Sequence, residues 1–147
     1  FGACVAMVEI DRDTGAVTLA RCTWVDDAGV IVNPLLAEGQ LHGSLAQGLG
    51  QVLMEEIVYD ADGQLVTGTL MDYAVPTATM IPPLETLQIE EPAGNLLGVR
   101  GVGEGGTLGP AAALANAVAD ALAAVDVETN TLPLAPWRVW SAARRPI

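Results

Sequence analysis

The chain has 147 residues, of which 51% are hydrophobic, and this size suits one domain with a substantial core. It carries 18 acidic and 6 basic side chains, for a formal net charge of -12. This charge argues against nucleic acid as a partner and against an anionic membrane surface, because both select a basic face. No apolar run is long enough to span a bilayer, and we expect a cytoplasmic protein.

The first half of the chain predicts a β-hairpin followed by a long helix. Residues 3–10 and 16–25 have strand patterns, and the turn between them contains Gly15, which can take a positive φ. Asn33 and Pro34 are typical of a helix N-cap and first turn, so we predict a helix from there to about Glu56. Phe1 leads directly into the first strand, which indicates a piece of a larger protein.

The second half adds shorter elements. A hairpin turn is predicted at residues 59–63, an extended segment at 67–74 and a strand at 84–90. An Ala-rich helix, capped by Gly106 or Thr107, should run to about Val125, with a closing helix at 137–143. We therefore predict an α+β fold with β-hairpins, a long Gly-rich helix and a C-terminal Ala-rich helix, in a single domain of residues 1–147.

The long helix has an unusual composition. It contains four glycines, each of which costs about 0.5–1 kcal/mol relative to alanine in a helix interior. Gly39, Gly43 and Gly50 share one face, which would let another backbone or a ligand approach closely. Three glutamines form a second stripe beside that face: Gln40, Gln47 and Gln51.

Residues 101–109 read GVGEGGTLG and place one carboxylate, Glu104, among glycines in front of a helix. Such a carboxylate is typical of a general base. The segment lacks the Lys of a phosphate-binding loop, and the literal GxGxxG pattern at 101–106 has no following strand and acidic residue. A purely structural glycine turn is the remaining alternative.

Four blocks together resemble the molybdenum hydroxylase family, which includes xanthine dehydrogenase, aldehyde oxidase and the large subunit of aerobic carbon monoxide dehydrogenase. They are DDAGVIVNP at 26–34, EGQLHGSLAQGLG at 38–50, MDYAVP at 71–76 and the glycine segment followed by ANAVADAL at 115–122. The resemblance covers essentially the whole chain and implies the C-terminal part of the molybdopterin-binding subunit. Ala28, where many relatives have Cys, and Gly105–Gly106, which resembles bacterial members, are the departures.

The resemblance also implies roles for individual residues. Glu104 would be the general base beside the molybdenum, deprotonating the hydroxyl that attacks an electron-poor carbon, and it should be buried enough to have a raised pKa. Gln40 would bind the cofactor, and Gln47 would either touch its phosphate or pack between helices. The remaining residues implied along the molybdopterin are Val102, Gly103, Gly105, Gly106 and Thr107.

No residue of the chain is expected to ligate a metal. His42 is expected to make an ordinary polar contact, Asp26 and Asp27 to close a turn, and Cys4 and Cys22 to be unbridged apolar residues in a reducing compartment.

The implied cofactor is molybdenum-molybdopterin, either plain or as the cytosine dinucleotide, with FAD and [2Fe-2S] clusters on other subunits or domains. The implied partners are the remainder of the molybdopterin subunit, the iron–sulfur and flavin subunits and a small-molecule substrate, within an oligomer. The expected reaction is hydroxylation of an aldehyde or N-heterocycle with water as the oxygen source. Carbon monoxide oxidation and a non-catalytic scaffold role are the alternatives, and the isolated chain is expected to bind no molybdopterin tightly.

Overall fold

A computed structural model of the protein describes residues 1–123 and 130–144. Within these ranges, three strands and three α-helices make up the fold, with one short 3-10 helix at Ala78–Met80. The strands are β1 (Gly2–Ile10), β2 (Val17–Asp26) and β3 (Leu84–Gln88), and the helices are α1 (Pro34–Leu53), α2 (Gly105–Leu122) and α3 (Pro136–Ala143).

The strands form one sheet in the order β1-β2-β3. β1 and β2 pair antiparallel across the predicted turn, where Gly15 has a φ of 75° and Asp11 accepts a hydrogen bond from the Asp13 amide. β3 pairs parallel with β2. Parallel neighbours need a crossover connection, and here the connection contains α1. The predicted opening hairpin and the α+β class are confirmed.

The core lies between the sheet and the two long helices. Its buried members include Leu45 and Val52 from α1, Val118 from α2 and Cys22 from β2. The sulfur of Cys22 lies 3.5 Å from that of Cys4 on the neighbouring strand, and both cysteines are free. The hydrogen bond shared with Cys22, together with burial, raises the pKa of the Cys4 thiol.

The two long helices begin in different ways. Asn33 caps α1 as predicted, because its Oδ1 accepts a hydrogen bond from the Leu36 amide at 3.1 Å. α2 begins earlier than expected: Glu104 occupies the N-cap position and the helix starts at Gly105, so the predicted caps lie inside its first turn. Leu114, Val118 and Leu122 of α2 are buried, whereas Ala121 is exposed. The predicted end of α2 near residue 125 lies outside the described residues.

The segment at 67–74 is not extended, and that prediction is wrong. The Thr69 carbonyl accepts hydrogen bonds from the amides of Asp72 and Tyr73, and the Thr69 hydroxyl accepts one from Met71. These contacts close a turn that the strand-like composition did not indicate. The turn predicted at 59–63 is confirmed, since Tyr59 and Leu65 form an antiparallel bridge across it.

Of the helices within residues 1–123 and 130–144, none combines the length and hydropathy needed to cross a bilayer.

Candidate functional site

The glycine segment, taken from here on as residues 98–109, is bonded at its start to the loop after β2 and continues into α2. Arg100, at its start, donates a backbone hydrogen bond to the Ala28 carbonyl at 2.8 Å, and Val30 donates one to the Gly98 carbonyl at 3.0 Å. Gly98 and Gly103 have φ values of 67° and 58°, a region that favours glycine. The segment is thus fixed at its base and turns sharply just before Glu104.

A largely buried ion pair holds this base in place. The Arg100 guanidinium lies 2.7 Å from Asp27 Oδ2 and 2.9 Å from the Glu91 carbonyl oxygen, while only 3% of the Asp27 side chain is exposed. The Gly29 amide, and after it the Arg100 charge, hold the pKa of Asp27 below its usual range. Asp27 closes the predicted turn, but sequence reasoning missed its partner, because 73 residues separate the two along the chain.

The glycine segment is also tied to α1. The Gln40 Nε2 donates a hydrogen bond of 2.9 Å to the carbonyl oxygen of Gly103, the residue before Glu104. Gln40 and Glu104, predicted from separate sequence blocks, therefore lie at the same place in the fold.

Both residues line a cavity of about 480 Å³. Most of its wall is aliphatic, and Asn33, Gln40, Arg100 and Glu104 are its polar or charged side chains. The other residues that line it are Ala28, Val30, Ile31, Val32, Leu36, Ala37, Val99, Val102 and Gly103. Glu104 is exposed in this structure, although we expected it to be buried.

Two other predicted site residues, Gly106 and Thr107, lie in the first turn of α2. The amide of Thr107 donates to the Glu104 carbonyl at 2.9 Å, as the first turn of α2 requires. Gly106 is buried against α1, where a Cβ would come within 2.8 Å of the Ser44 Cβ. Helix packing alone therefore accounts for a glycine at 106, and its contact with a cofactor stays a prediction.

Gln47 lies elsewhere on α1. Its Nε2 is 3.5 Å from the Oε2 of Glu55, which also accepts a 2.8 Å hydrogen bond from the Tyr73 hydroxyl. Through these two contacts, Glu55 and Tyr73, which follow α1 in the chain, are linked to the helix. Gln47 does not line the cavity that contains Gln40 and Glu104.

A smaller cavity of about 250 Å³ lies on the other side of the glycine segment, against Trp24, Asp26 and Gly105. Burial raises the pKa of Asp26. The Trp24 Nε1 is buried without a hydrogen-bond partner among the described residues. The sequence analysis assigned Asp26 only to a turn.

The remaining polar candidates have ordinary surroundings. His42 is exposed, and its Nε2 lies 3.9 Å from Glu38 Oε1, one helical turn away. Trp137 and Trp140 are exposed on α3. Within residues 1–123 and 130–144, no group of three or more His, Cys, Asp or Glu side chains is arranged to hold a metal ion.

Comparison with known proteins gives this architecture a family. The molybdopterin cofactor-binding domain family matches residues 1–82. The large subunit of nicotine 6-hydroxylase from Paenarthrobacter nicotinovorans is 40% identical over 139 residues, which cover 94% of this chain and 17% of that protein. The carbon monoxide dehydrogenase large chain of Hydrogenophaga pseudoflava is 37% identical over 145 residues, or 98% of this chain and 18% of that protein.

Among solved structures, quinoline 2-oxidoreductase from Pseudomonas putida 86 superposes with a TM-score of 0.90 at 42% identity, over 96% of this chain and 18% of that one. The chain belongs to the molybdopterin cofactor-binding domain family. It spans less than a fifth of the length of the relatives it matches. Residues 83–147, including Glu104, lie beyond the part matched by the family itself.

The residues of the larger cavity fit a molybdopterin cofactor. A Cβ placed on Gly103, which lines the cavity, would meet no described atom within 4 Å, so the backbone next to Glu104 is accessible. Gln40 uses one N–H on Gly103, which leaves a second N–H and its amide oxygen for a ligand. This combination of open backbone, the neutral amides of Asn33 and Gln40, one carboxylate and an Arg100 guanidinium already paired with Asp27 suits a polar, hydrogen-bonding organic group.

Proposed function

We propose that the chain forms one wall of the catalytic site of a molybdenum hydroxylase, with Glu104 as the general base. The observation that carries the proposal is the shared cavity, which Glu104 and Gln40 both line together with an aliphatic wall, and the Gln40 amide binds the carbonyl of the residue before Glu104. A structural glycine turn explains the backbone of this segment, and the dipole of α2 favours a carboxylate at its N-cap, but the Glu104 side chain makes no capping hydrogen bond.

The proposed reaction converts substrate and water into a hydroxylated product, two protons and two electrons. The molybdenum cofactor, when bound, would supply the redox centre that takes up the electrons. The Glu104 carboxylate accepts one proton as the oxygen of water is transferred to the substrate carbon, and general-base catalysis contributes about 10²–10⁴ in rate. Val102 and Gly103 would hold the cofactor beside the carboxylate.

The proposed substrate is an aldehyde or an N-heterocycle. Val30, Val32 and Leu36 give the cavity an apolar wall that would favour a flat, weakly polar substrate over a strongly charged one. Two relatives, nicotine 6-hydroxylase and quinoline 2-oxidoreductase, are named for heterocycles. Carbon monoxide is the alternative that the other relative's name supports.

The proposed partners are the remainder of the molybdopterin subunit and the iron–sulfur and flavin subunits. Relatives more than five times as long support the first of these. Several large apolar side chains are exposed in the described residues, among them Phe1, Val5, Leu96 and Leu108, and further protein would shield them. The cytoplasmic location and the single-domain organisation stay predictions.

The proposal is tested by replacing Glu104 with Gln in the complete molybdenum-loaded protein. Turnover of an aldehyde and of quinoline should fall at least about 10²-fold while molybdenum content is unchanged, because Gln cannot accept the proton. Glu90→Gln, on the exposed segment after β3, is the matched control and should retain full activity. Turnover by Glu104→Gln within tenfold of the unchanged protein would reject the general-base role.

The same preparation separates the alternatives. Oxidation of carbon monoxide with no activity toward aldehydes or heterocycles would select the carbon monoxide reaction. A well-folded complete protein without molybdenum would select the scaffold role.

A further inference from the structure

We propose that Gln40 is a positioning residue that sets the direction of the Glu104 side chain through the Gly103 carbonyl. The inference rests on the proposed role of Glu104 and adds a residue that does not itself exchange the proton. It differs from cofactor binding by Gln40, because its target is the protein backbone.

The geometry around Glu104 carries the inference. The peptide plane before Glu104 is held at the Gly103 oxygen by the Gln40 Nε2, at 2.9 Å. The plane after it is held at the Glu104 oxygen by the Thr107 amide, also at 2.9 Å. Because peptide units are rigid planes, fixing both planes that flank a Cα fixes the direction of its Cβ.

These two restraints have different origins. The bond from Thr107 belongs to the first turn of α2 and depends only on the backbone. Within the described residues, only the Gln40 side chain hydrogen-bonds to residues 101–104. The orientation of the preceding plane therefore depends on a side chain that substitution can remove.

The glycines make this restraint necessary. Gly103 has a φ of 58°, and neither Gly101 nor Gly103 would bring a Cβ within 4 Å of a described atom. Glycine adopts positive and negative φ with similar ease, and positions 101 and 103 carry no side chain that would restrict the backbone. Without the Gln40 amide, the peptide before Glu104 could rotate and swing the carboxylate out of place.

The first test measures the restraint directly in the complete protein. Hydrogen–deuterium exchange of peptides covering 101–107 should be faster in Gln40→Ala than in the unchanged protein. Gln40→Glu should behave the same way at pH 8, because an ionised carboxylate has no proton to donate to the Gly103 oxygen. Gln51→Ala removes the same side chain from an exposed position further along α1 and should leave exchange at 101–107 unchanged.

The second test separates positioning from structural support or cofactor binding. In Gln40→Ala, kcat should fall about 10-fold to 100-fold, as expected when a reacting group is displaced. KM and molybdenum content should remain within about twofold of the unchanged protein, because neither depends on the direction of the carboxylate. Loss of molybdenum in Gln40→Ala would assign the residue to the cofactor and overturn the inference.

The two proposals fail in different ways. Unchanged exchange at 101–107 together with full kcat in Gln40→Ala overturns the positioning role and leaves Glu104 as the base. Full turnover by Glu104→Gln overturns the base itself, whatever the exchange at 101–107.

Discussion

Replacing Gly43 with Ala is expected to stabilise the chain. Gly43 is exposed inside α1, and a Cβ there would meet no described atom within 4 Å. The substitution removes the penalty of glycine in a helix interior, which is about 0.5–1 kcal/mol. For a chain of this size, that gain corresponds to a rise in Tm of about 1–4 °C.

Gly109→Ala is the matched control, since it makes the same substitution in the interior of α2. A Cβ at 109 would overlap ring atoms of Trp24, which is buried. Overpacking of this kind costs about 1–3 kcal/mol and outweighs the gain in helix propensity. Thermal and denaturant unfolding should therefore move in opposite directions for the two variants. A lower Tm for Gly43→Ala would refute the view that α1 leaves this face open.

Two further predictions follow from the carboxylates near the glycine segment. Burial raises the folded-state pKa of Asp26, so folding binds a proton and stability falls as pH rises from about 4 through that raised value. Asp26→Asn should remove this fall in denaturant unfolding followed against pH, and an unchanged slope would contradict it. Asp27→Asn weakens the ion pair with Arg100, so exchange at residues 98–104 should quicken while exchange in α2 stays the same. The folded-state pKa of Asp27 is lowered, so its contribution to stability is present above about pH 4 and is lost as pH falls through that lowered value. In acid, Asp27→Asn and the unchanged protein should therefore have similar stability.

Interactions between residues close together in the sequence made much of the fold predictable. The hairpin at Gly15 and the Asn33 cap were read correctly, because each depends on residues a few positions apart. The segment at 67–74 was misread, since its turn is closed by the Thr69 hydroxyl and carbonyl and not by Gly or Pro. The start of α2 was placed late because Glu104 is an uncommon N-cap and makes no side-chain capping bond.

The candidate site was predictable only in part. Glu104 stood out through its glycine surroundings and Gln40 through the resemblance to the molybdenum hydroxylase family, but the hydrogen bond from Gln40 to the Gly103 carbonyl joins positions 63 residues apart, which no local pattern encodes. The pairing of Asp27 with Arg100 escaped for the same reason. Gly106 looked like part of a ligand loop, although its contact with Ser44 gives it a packing role.

The central claim, that Glu104 removes a proton during oxidation, is tested most directly by single-turnover kinetics. The complete molybdenum-loaded protein and its Glu104→Gln variant, matched for metal content, would be mixed without oxygen with excess aldehyde or heterocycle, and the absorbance change would be followed in a stopped-flow instrument. The account predicts a rate at least about 10²-fold slower for the variant. Equal rates for the two proteins would contradict it.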